Sequence, residues 1–529
     1  MHHMDYTNRK MAVVLENLSK WSEGKRGLLF VLFLSAILKV SIALATKVIN
    51  PDGVLYISAA QQFASGYFRE GLALFPMPFY PLLIALVHCF IPHWVVAAKF
   101  ISITMSVLVL IPLYLLAKDL FDRRAAFWAC LAFAIAPFPN ECAVEVIRGS
   151  TFIFLFAWAV YFAQRAIQST RLFFFLLAAF FSWSSVLFRI EGIIFTPLYL
   201  LFLACLTIWK SQERGPFLKG ILVWITFPLL ICLAVFVALG PEAVSFNRTA
   251  EVTQRLQNLF NLRFLDNYHR IYEQLKFLEY FSPYPGGKQN FAEIARHMMP
   301  VIYLWGLLCS FVKVLFPLFV IPLLWGLRDS LPRIRVFVLA LTASYLFAIY
   351  YVLLEMDFIQ HRFLLAPAFL LYPWIGAGIA RLFMSVKGSS RPIFFAILFV
   401  IVFSVSPIYR CAHSLWKQDD VITTAAEWIA NKDEFHQAKI ITTDPRIPFY
   451  AGRERDYMKY ADIHHNYFAM EQTAIENQMD ILIIRVSAKK KDILPELAVY
   501  KKVKEFIGKK NIAIIYCSPE FHKTLRARQ

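Results

Sequence analysis

Long apolar runs separated by short basic segments dominate the first 405 residues and restrict what this chain can fold into. Roughly 20 apolar residues cross a bilayer as a helix. The chain is 59% hydrophobic and contains 51 phenylalanines in 529 residues, more apolar surface than a soluble core of that length buries. The sequence therefore predicts a mainly α-helical polytopic membrane protein with about 11 spans, or about 11 to 13. The predicted spans are residues 28–45, 94–117, 125–137, 150–166, 172–188, 193–209, 221–239, 301–325, 336–354, 363–379 and 393–405.

Basic residues fall between the apolar runs, most clearly where Lys118, Arg123 and Arg124 follow the second run. Because cytoplasmic loops are enriched in lysine and arginine, this pattern accounts for the formal net charge of +18 without a nucleic acid partner. It places the N-terminus in the cytoplasm and the C-terminus outside, provided that residues 79–91 do not cross. Lys39, within the first run, is expected to snorkel towards the outer headgroups. Lys313 divides the run 301–325, which is either one span or a surface helix followed by a short span.

The first predicted outer loop, residues 47–93, has an aspartate just after the first span. Asp52 is followed one helical turn later by Tyr56, which puts both on one helix face. The later apolar stretch 79–91 has about 13 residues, too few to span a bilayer. The loop is therefore predicted to hold two interfacial helices around Asp52. A solvated loop in which Asp52 has no role stays open as the alternative.

Two further regions are polar enough to lie outside the membrane. The first is a long outer loop at 240–299. The second begins at residue 411, where a helix at Val421–Ala430 and strands at 439–443, 480–485 and 511–516 alternate. This alternation predicts a small α/β domain over 411–529, after a transmembrane domain over 1–410. The chain has no glycine-rich phosphate loop or nucleotide fingerprint, so a nucleotide-sugar or ATP site is not expected. Its eight cysteines are scattered and form neither a disulfide framework nor a zinc motif.

Several charged residues fall at the predicted outer ends of the spans. Charges at membrane depth are costly and usually face a protein interior or a water-filled cavity. Carboxylates and cations at one level suit a phosphate-bearing, membrane-embedded reactant, because cations hold phosphate and a carboxylate takes a proton. Each pair also has a structural alternative. Glu145 and Arg148 could form a plain helix-surface pair, and Arg189 and Glu191 could anchor a span at the interface. His361 and Arg362 could contact lipid headgroups. The candidates are Asp52, Tyr56, Lys99, Glu145, Arg148, Arg189, Glu191, Glu355, Asp357, His361 and Arg362.

The order of several loose motifs resembles a family. The motifs are PDGVLYISAAQQFASG, PFYPLLIAL, a span from AAKFIS to PLYLLAKDLFDRR, VEVIRGS, FRIEG, HRFLLAPAF and TTDPRIPFYAG. In this order they resemble the C-type (GT-C) membrane glycosyltransferases of the protein O-mannosyltransferase and aminoarabinose-transferase superfamily. The resemblance implies a polyprenyl-phosphate-linked sugar donor (dolichyl or undecaprenyl), a hexosyl or pentosyl group, an extracytoplasmic active site and inversion in a single displacement.

The resemblance also implies roles for individual residues. Asp52 matches the family's first-loop catalytic aspartate, the base that deprotonates the acceptor, and Glu145 matches a second acidic residue. Lys99 falls where the family has a cation facing the lipid phosphate, and Arg148, Arg189 and Arg362 are further donor-phosphate candidates. Tyr56, Glu191 and His361 are predicted to bind substrate.

The chain also departs from the family's pattern. Gly53 replaces an acidic residue that mannosyltransferases carry directly after the loop aspartate. The family's histidine and lysine beside the proline-rich helix are absent, and so are lumenal MIR-type repeats. A prokaryotic plasma (inner) membrane enzyme of the cell envelope is therefore favoured. The expected partners are the donor, membrane lipid and an acceptor hydroxyl on a glycan, lipid or protein. No metal ligand set is predicted, and a divalent cation stays an open option.

Two other classes of function remain as alternatives. A transporter or flippase of lipid-linked sugars also has many spans and buried charges, although the sequence shows no internal repeat. An O-antigen-type ligase or polymerase would favour an outer loop rich in arginine and histidine. The loop 240–299 fits that description through its residues Arg248, Arg255, Arg263, His269 and Arg270.

Overall fold

A computed structural model describes most of the chain. The described residues are 24–209, 211–239, 253–254, 257–258, 261, 263–279, 291–328, 332–387, 405, 407–410, 420–453, 457–460, 467–489 and 497–527. The predicted last span 393–405 lies outside them except for its final residue, and so do Arg248, Arg255 and much of the predicted loop 240–299.

Helices make up most of the described chain. Up to residue 188 they are α1 (Lys25–Ala45), α2 (Pro51–Ala64), α3 (Phe68–Leu74), α4 (Phe79–His88), α5 (Trp94–Leu108), α6 (Leu110–Leu120), α7 (Arg123–Ile135), α8 (Pro137–Val144), α9 (Gly149–Ser169) and α10 (Leu172–Phe188). From residue 195 to 387 they are α11 (Phe195–Trp209), α12 (Arg214–Leu239), α13 (Asp266–Glu279), α14 (Phe291–Leu315), α15 (Val320–Gly326), α16 (Arg333–Met356) and α17 (Leu365–Lys387).

Among these described residues, 8 helices are long and apolar enough to cross a membrane, or up to 9 if the bent pair α7 and α8 is one span. The fold class is therefore confirmed as a polytopic helical membrane protein, while the number of about 11 spans stays a prediction. α4 has 10 residues, in agreement with the prediction that this stretch is too short to cross. α10 begins and ends where the sequence predicted.

Two details of the spans differ from the simplest prediction. The run 301–325 is not one helix, because α14 ends at Leu315 and Phe316 has a φ of 76°. Pro317 follows, and a proline disfavours helical geometry in the residue before it.

The expectation that Lys39 snorkels is wrong: its side chain is fully buried, and Nζ donates to the Ser35 hydroxyl at 2.8 Å. The Ser35 hydroxyl thus accepts one of the hydrogen bonds that the ammonium group would otherwise make with lipid headgroups.

Backbone contacts divide the chain into two compact units. The helical unit comprises Met1–Val40, Phe100–Ala143 and Arg148–Cys411, and the mixed unit comprises Ser41–Lys99, Val144–Ile147 and Ala412–Gln529. The predicted first outer loop thus belongs to the same unit as the C-terminal region.

α17 is the most enclosed span of the helical unit, with 89% of its apolar window buried. It packs against α7 and α15. Small residues make this possible: a Cβ on Gly376 would lie 2.2 Å from the Ala125 carbonyl oxygen, and one on Gly378 would lie 1.8 Å from the Pro322 carbonyl oxygen. Helices in membranes associate through such small-residue contacts, because lipid provides no hydrophobic drive between them.

The C-terminal part of the mixed unit is the predicted α/β domain. Its helices are α18 (Val421–Ala430), α19 (Arg446–Tyr450), α20 (Tyr467–Glu476) and α21 (Pro519–Ala527). Its strands are β1 (Ile440–Thr442), β2 (Tyr457–Lys459), β3 (Ile481–Ser487), β4 (Lys501–Ile507) and β5 (Asn511–Cys517), in the order β2-β1-β3-β5-β4. β1 pairs in parallel with β2 and β3, whereas β5 pairs antiparallel with β3 and β4. Apolar cores cover both faces of the sheet.

Candidate catalytic centre

Asp52 lies in the first turn of α2, where the sequence Asn50-Pro51-Asp52 dictates a helix start. Asn50 is the N-cap, and its side-chain oxygen accepts from the Asp52 backbone N–H at 3.0 Å. Proline is favoured at the first helical position, and an acidic residue in the first turn interacts favourably with the helix dipole. Asp52 is half-buried and belongs to a regular helix, which fixes the position of its backbone.

Glu145 reaches the same capping residue from a distant part of the chain. The Asn50 backbone N–H donates to the Glu145 carbonyl oxygen at 3.2 Å, and Asn50 Nδ2 lies 3.4 Å from Glu145 Oε2. Asn50 therefore contacts the backbone of Asp52 and the carboxylate of Glu145, the two predicted catalytic residues. Residues 145–148 form a turn, so the alternative of a helix-surface pair between Glu145 and Arg148 does not apply. Asn50 was missed in the sequence, although an asparagine before Pro-Asp signals a helix cap.

Gly53, where the chain departs from the family's pattern, lies in a closely packed position. A Cβ there would lie 3.2 Å from both Cβ and the carbonyl oxygen of Val146. Val146 itself has a φ of 55°, which is uncommon for a β-branched residue. The turn that brings Glu145 to Asn50 thus leaves little room for a side chain at position 53.

Two other predicted residues of the mixed unit have clear contacts. The ring of Tyr56 is 2% exposed and packs edge-on against Phe75 and Tyr80, with ring centroids 4.8 and 5.3 Å away. Lys99 Nζ donates to the carbonyl oxygens of Ala43 at 2.9 Å and Thr46 at 2.7 Å, at the C-terminal end of α1. A cation there satisfies carbonyl groups that the helix leaves unpaired.

The helical unit brings together a second set of predicted residues. Arg189 is 5% exposed and binds Glu191 through Nη2 at 2.6 Å and Nε at 3.3 Å. Its guanidinium carbon lies 5.8 and 5.3 Å from the ring centroids of Phe152 and Phe363. Such paired and aromatic contacts are typical of an anchored arginine. Arg148 lies nearby, with Nη1 donating to the Phe188 carbonyl oxygen at 3.2 Å.

The last two predicted residues precede α17. Arg362 Nε donates to the Gln360 side-chain oxygen at 2.5 Å, and the His361 ring lies edge-on to Phe138. His361 also interacts electrostatically with Lys313. Lys313 and Arg410 in turn interact with Glu141 in α8, a cluster that the sequence did not single out. The sequence signals for it were the polar pair within PFPNEC and Lys313 inside its apolar run.

The described part of the predicted loop 240–299 also carries charge. Arg270 Nη2 lies 3.8 Å from Asp357 Oδ2, and the Tyr303 hydroxyl donates to Asp357 Oδ1 at 2.6 Å. Asn267 donates to the Glu355 carbonyl oxygen. Within the described residues, no group of three or more His, Cys, Asp or Glu side chains could hold a metal ion.

Known proteins resemble the chain in sequence over part of its length and in fold over most of it. The profile of a family described as dolichyl-phosphate-mannose-protein mannosyltransferase matches residues 76–237. No curated protein sequence matches significantly. The archaeal oligosaccharyltransferase AglB from Archaeoglobus fulgidus, in complex with an inhibitory peptide and a dolichol-phosphate, superposes with a TM-score of 0.55 at 13% identity. That match covers 88% of this chain and 70% of AglB.

A second enzyme covers the chain more completely. ArnT from Cupriavidus metallidurans bound to undecaprenyl phosphate superposes with a TM-score of 0.52 at 12% identity, covering 93% of this chain and 98% of ArnT. AglB tethered to an acceptor peptide with the NVT sequon gives a TM-score of 0.56 at 14% identity. These matches confirm the predicted resemblance at the level of the fold.

Proposed function

We propose that this multi-pass membrane protein, which has the fold of the C-type glycosyltransferase superfamily, transfers a sugar from a polyprenyl-phosphate donor to an acceptor hydroxyl with inversion. The observation that carries the proposal is Asn50, which caps the helix of Asp52 and contacts Glu145. Two acidic residues from distant segments that share one capping residue at a helix start suit proton transfer. The fold of AglB and ArnT, whose structures contain dolichol-phosphate and undecaprenyl phosphate, supports the donor class.

Asp52 is the general base in this proposal. The acceptor hydroxyl gives its proton to the Asp52 carboxylate while its oxygen forms a bond to the anomeric carbon. The bond from that carbon to the phosphate oxygen breaks, and polyprenyl phosphate departs as the anion. Glu145, held by Asn50, orients the acceptor, and Tyr56 supports the helix face below Asp52. Because the phosphate is a good leaving group, the protein needs only to position the acceptor, take its proton and stabilise the departing anion.

Cations stabilise the departing phosphate in this scheme. Lys99 has three N–H donors, of which two contact backbone carbonyl groups, so one is left for a phosphate oxygen. Arg148, Arg189 and Arg362 stay candidates for the same role, and Glu191 and His361 stay candidates for substrate binding. The ion pair between Arg189 and Glu191 favours a structural role for both side chains over direct contact with substrate.

The wider organisation follows the same proposal. Residues 1–410 form the transmembrane transferase domain, and 411–529 form an α/β domain on the outer face of a prokaryotic plasma membrane. The N-terminus is cytoplasmic, and the site faces outwards. The acceptor is a hydroxyl of a glycan, lipid or protein.

Purified protein in proteoliposomes with a radiolabelled polyprenyl-phosphate sugar tests the proposal. Wild type should release polyprenyl monophosphate and label an acceptor. Asp52→Asn keeps the shape and should lower transfer by about 10²- to 10⁴-fold, with donor binding retained. Asp433→Asn is the matched control, since Asp433 is a fully exposed aspartate of the same unit. A diphosphate product would instead identify a ligase or polymerase, and sugar crossing the bilayer without bond cleavage would identify a flippase.

A further inference from the structure

The segment between α1 and α2 is attached to the α/β domain of the same unit. The Ile49 backbone N–H donates to the Tyr450 hydroxyl at 3.0 Å, and Ile49 is 1% exposed. Val48 packs against the apolar core of the domain, as Tyr450 does. Lys47 forms an exposed ion pair with Asp420 at 3.5 Å. Three consecutive residues before the helix cap are thus held by the α/β domain.

Tyr450 is the last residue of α19, within the motif TTDPRIPFYAG, which the proposed reaction does not use. The helix is fixed at its start by Asp444, which is 2% exposed. Asp444 accepts from Arg446 Nε at 2.8 Å and Nη2 at 2.6 Å, and from Arg485 Nη1 at 2.6 Å. Burial alone would raise the pKa of Asp444, but the two arginines lower it below its ordinary value. The carboxylate therefore stays charged and keeps both arginines in place.

The network connects the sheet to the start of α19. Arg485 lies on β3, and its Nη2 donates to Asn511 on β5 at 3.1 Å. Arg446 opens α19, and its backbone N–H donates to Asp444 Oδ1 at 3.1 Å. The position of the Tyr450 hydroxyl is consequently set by a buried charge network rather than by a mobile loop.

We propose that Tyr450 is a positioning residue for Asp52, acting through Ile49 and the capping residue Asn50. Few contacts separate the two residues. The Tyr450 hydroxyl accepts from the Ile49 backbone N–H, Asn50 caps α2, and Asp52 lies in the first turn of α2. A base displaced by about 1 Å can lose as much as 10²-fold in rate. The α/β domain therefore sets the position of the proposed base without touching substrate, and this inference rests on the proposed function.

Tyr450→Phe tests the proposal, because it removes the hydroxyl and keeps the ring. Tyr500→Phe is the matched control: the Tyr500 hydroxyl donates to the Met479 carbonyl oxygen in the same domain. Hydrogen–deuterium exchange of the full-length protein in nanodiscs reports on the amides of residues 49–53 other than Pro51, which has no amide hydrogen. Loss of one hydrogen bond should accelerate their exchange by roughly 2- to 13-fold in Tyr450→Phe and leave it unchanged in Tyr500→Phe.

The kinetic readout separates positioning from mere stability. With a polyprenyl-phosphate sugar, Tyr450→Phe should lower kcat about 10-fold and leave the donor KM within about twofold. It should have no further effect on the residual rate of Asp52→Asn. Unchanged exchange at 49–53, or a kcat within about twofold of wild type, overturns the inference. If wild type transfers no sugar at all, the proposed function fails separately, and the exchange result alone decides whether Tyr450 holds the start of α2.

Discussion

The two units hold their carboxylates in different ways. In the helical unit, Glu191 accepts two hydrogen bonds from the buried guanidinium of Arg189. In the mixed unit, the contacts of Glu145 with Asn50 come from neutral amide groups, and Asp52 lies half-buried at a helix start. A guanidinium binds a carboxylate through two strong, charged donors, whereas the amide of Asn50 offers Glu145 a weaker, neutral one. We therefore expect the pair of Arg189 and Glu191 to contribute mainly to stability, while Asp52 and Glu145 are the residues proposed to carry the chemistry.

The largest expected effect lies in the helical unit and concerns stability. Arg189→Ala leaves the Glu191 carboxylate without its bidentate partner, and breaking a buried ion pair costs ~3–5 kcal/mol. A fall in the thermal unfolding midpoint should show this, and Arg189→Met combined with Glu191→Leu should lose less. If Arg189→Ala unfolds like wild type but loses donor use, Arg189 belongs to the donor site and the comparison fails.

Lys99 comes next, because it has both a structural and a proposed functional contact. A charge-assisted contact to phosphate contributes ~1.5–3 kcal/mol, so Lys99→Ala should weaken donor use about 10- to 150-fold. Lys501→Ala is the control, since Lys501 is an exposed lysine on the edge strand β4 of the same unit. A lower unfolding midpoint with an unchanged donor KM would restrict Lys99 to capping the end of α1.

A smaller effect is expected at Asn50. Asn50→Ala removes the cap of α2, which costs about 1 kcal/mol, and releases Glu145, so both stability and kcat should fall. Asn50→Ser keeps a capping oxygen but loses the amide donor to Glu145. Unfolding and transfer assays on both variants should therefore show that serine restores stability and not rate. Equal rates for wild type and Asn50→Ser would remove Glu145 from the proposed centre.

Local patterns sufficed for much of the fold. Runs of apolar residues predicted α10 and α18 with their observed bounds. β4 was missed because it is an edge strand with exposed lysines, Lys501, Lys502 and Lys504, and edge strands need only one apolar face. The break at Phe316 was left open because the sequence stays apolar on both sides of it.

The candidate centre was less accessible to sequence reasoning. The position of Asp52 and Glu145 at span ends made them candidates, and the resemblance implied their roles. Their common partner Asn50, however, depends on a turn at Val146 whose positive φ no sequence pattern predicts. The contacts of Lys99 with the end of α1, and the cluster of Glu141 with Lys313 and Arg410, join segments far apart in the chain. Such contacts depend on tertiary packing, which a single sequence does not display.

The most direct measurement asks whether Asp52 removes a proton. Azide is already an anion and needs no base, so it should react with the donor in Asp52→Ala even though a hydroxyl acceptor does not. The account predicts that Asp52→Ala loses transfer to the hydroxyl and, with azide, forms a glycosyl azide of inverted configuration that wild type forms more slowly. Transfer to the hydroxyl above about a tenth of the wild-type rate, or no gain of azide product over wild type, would contradict it.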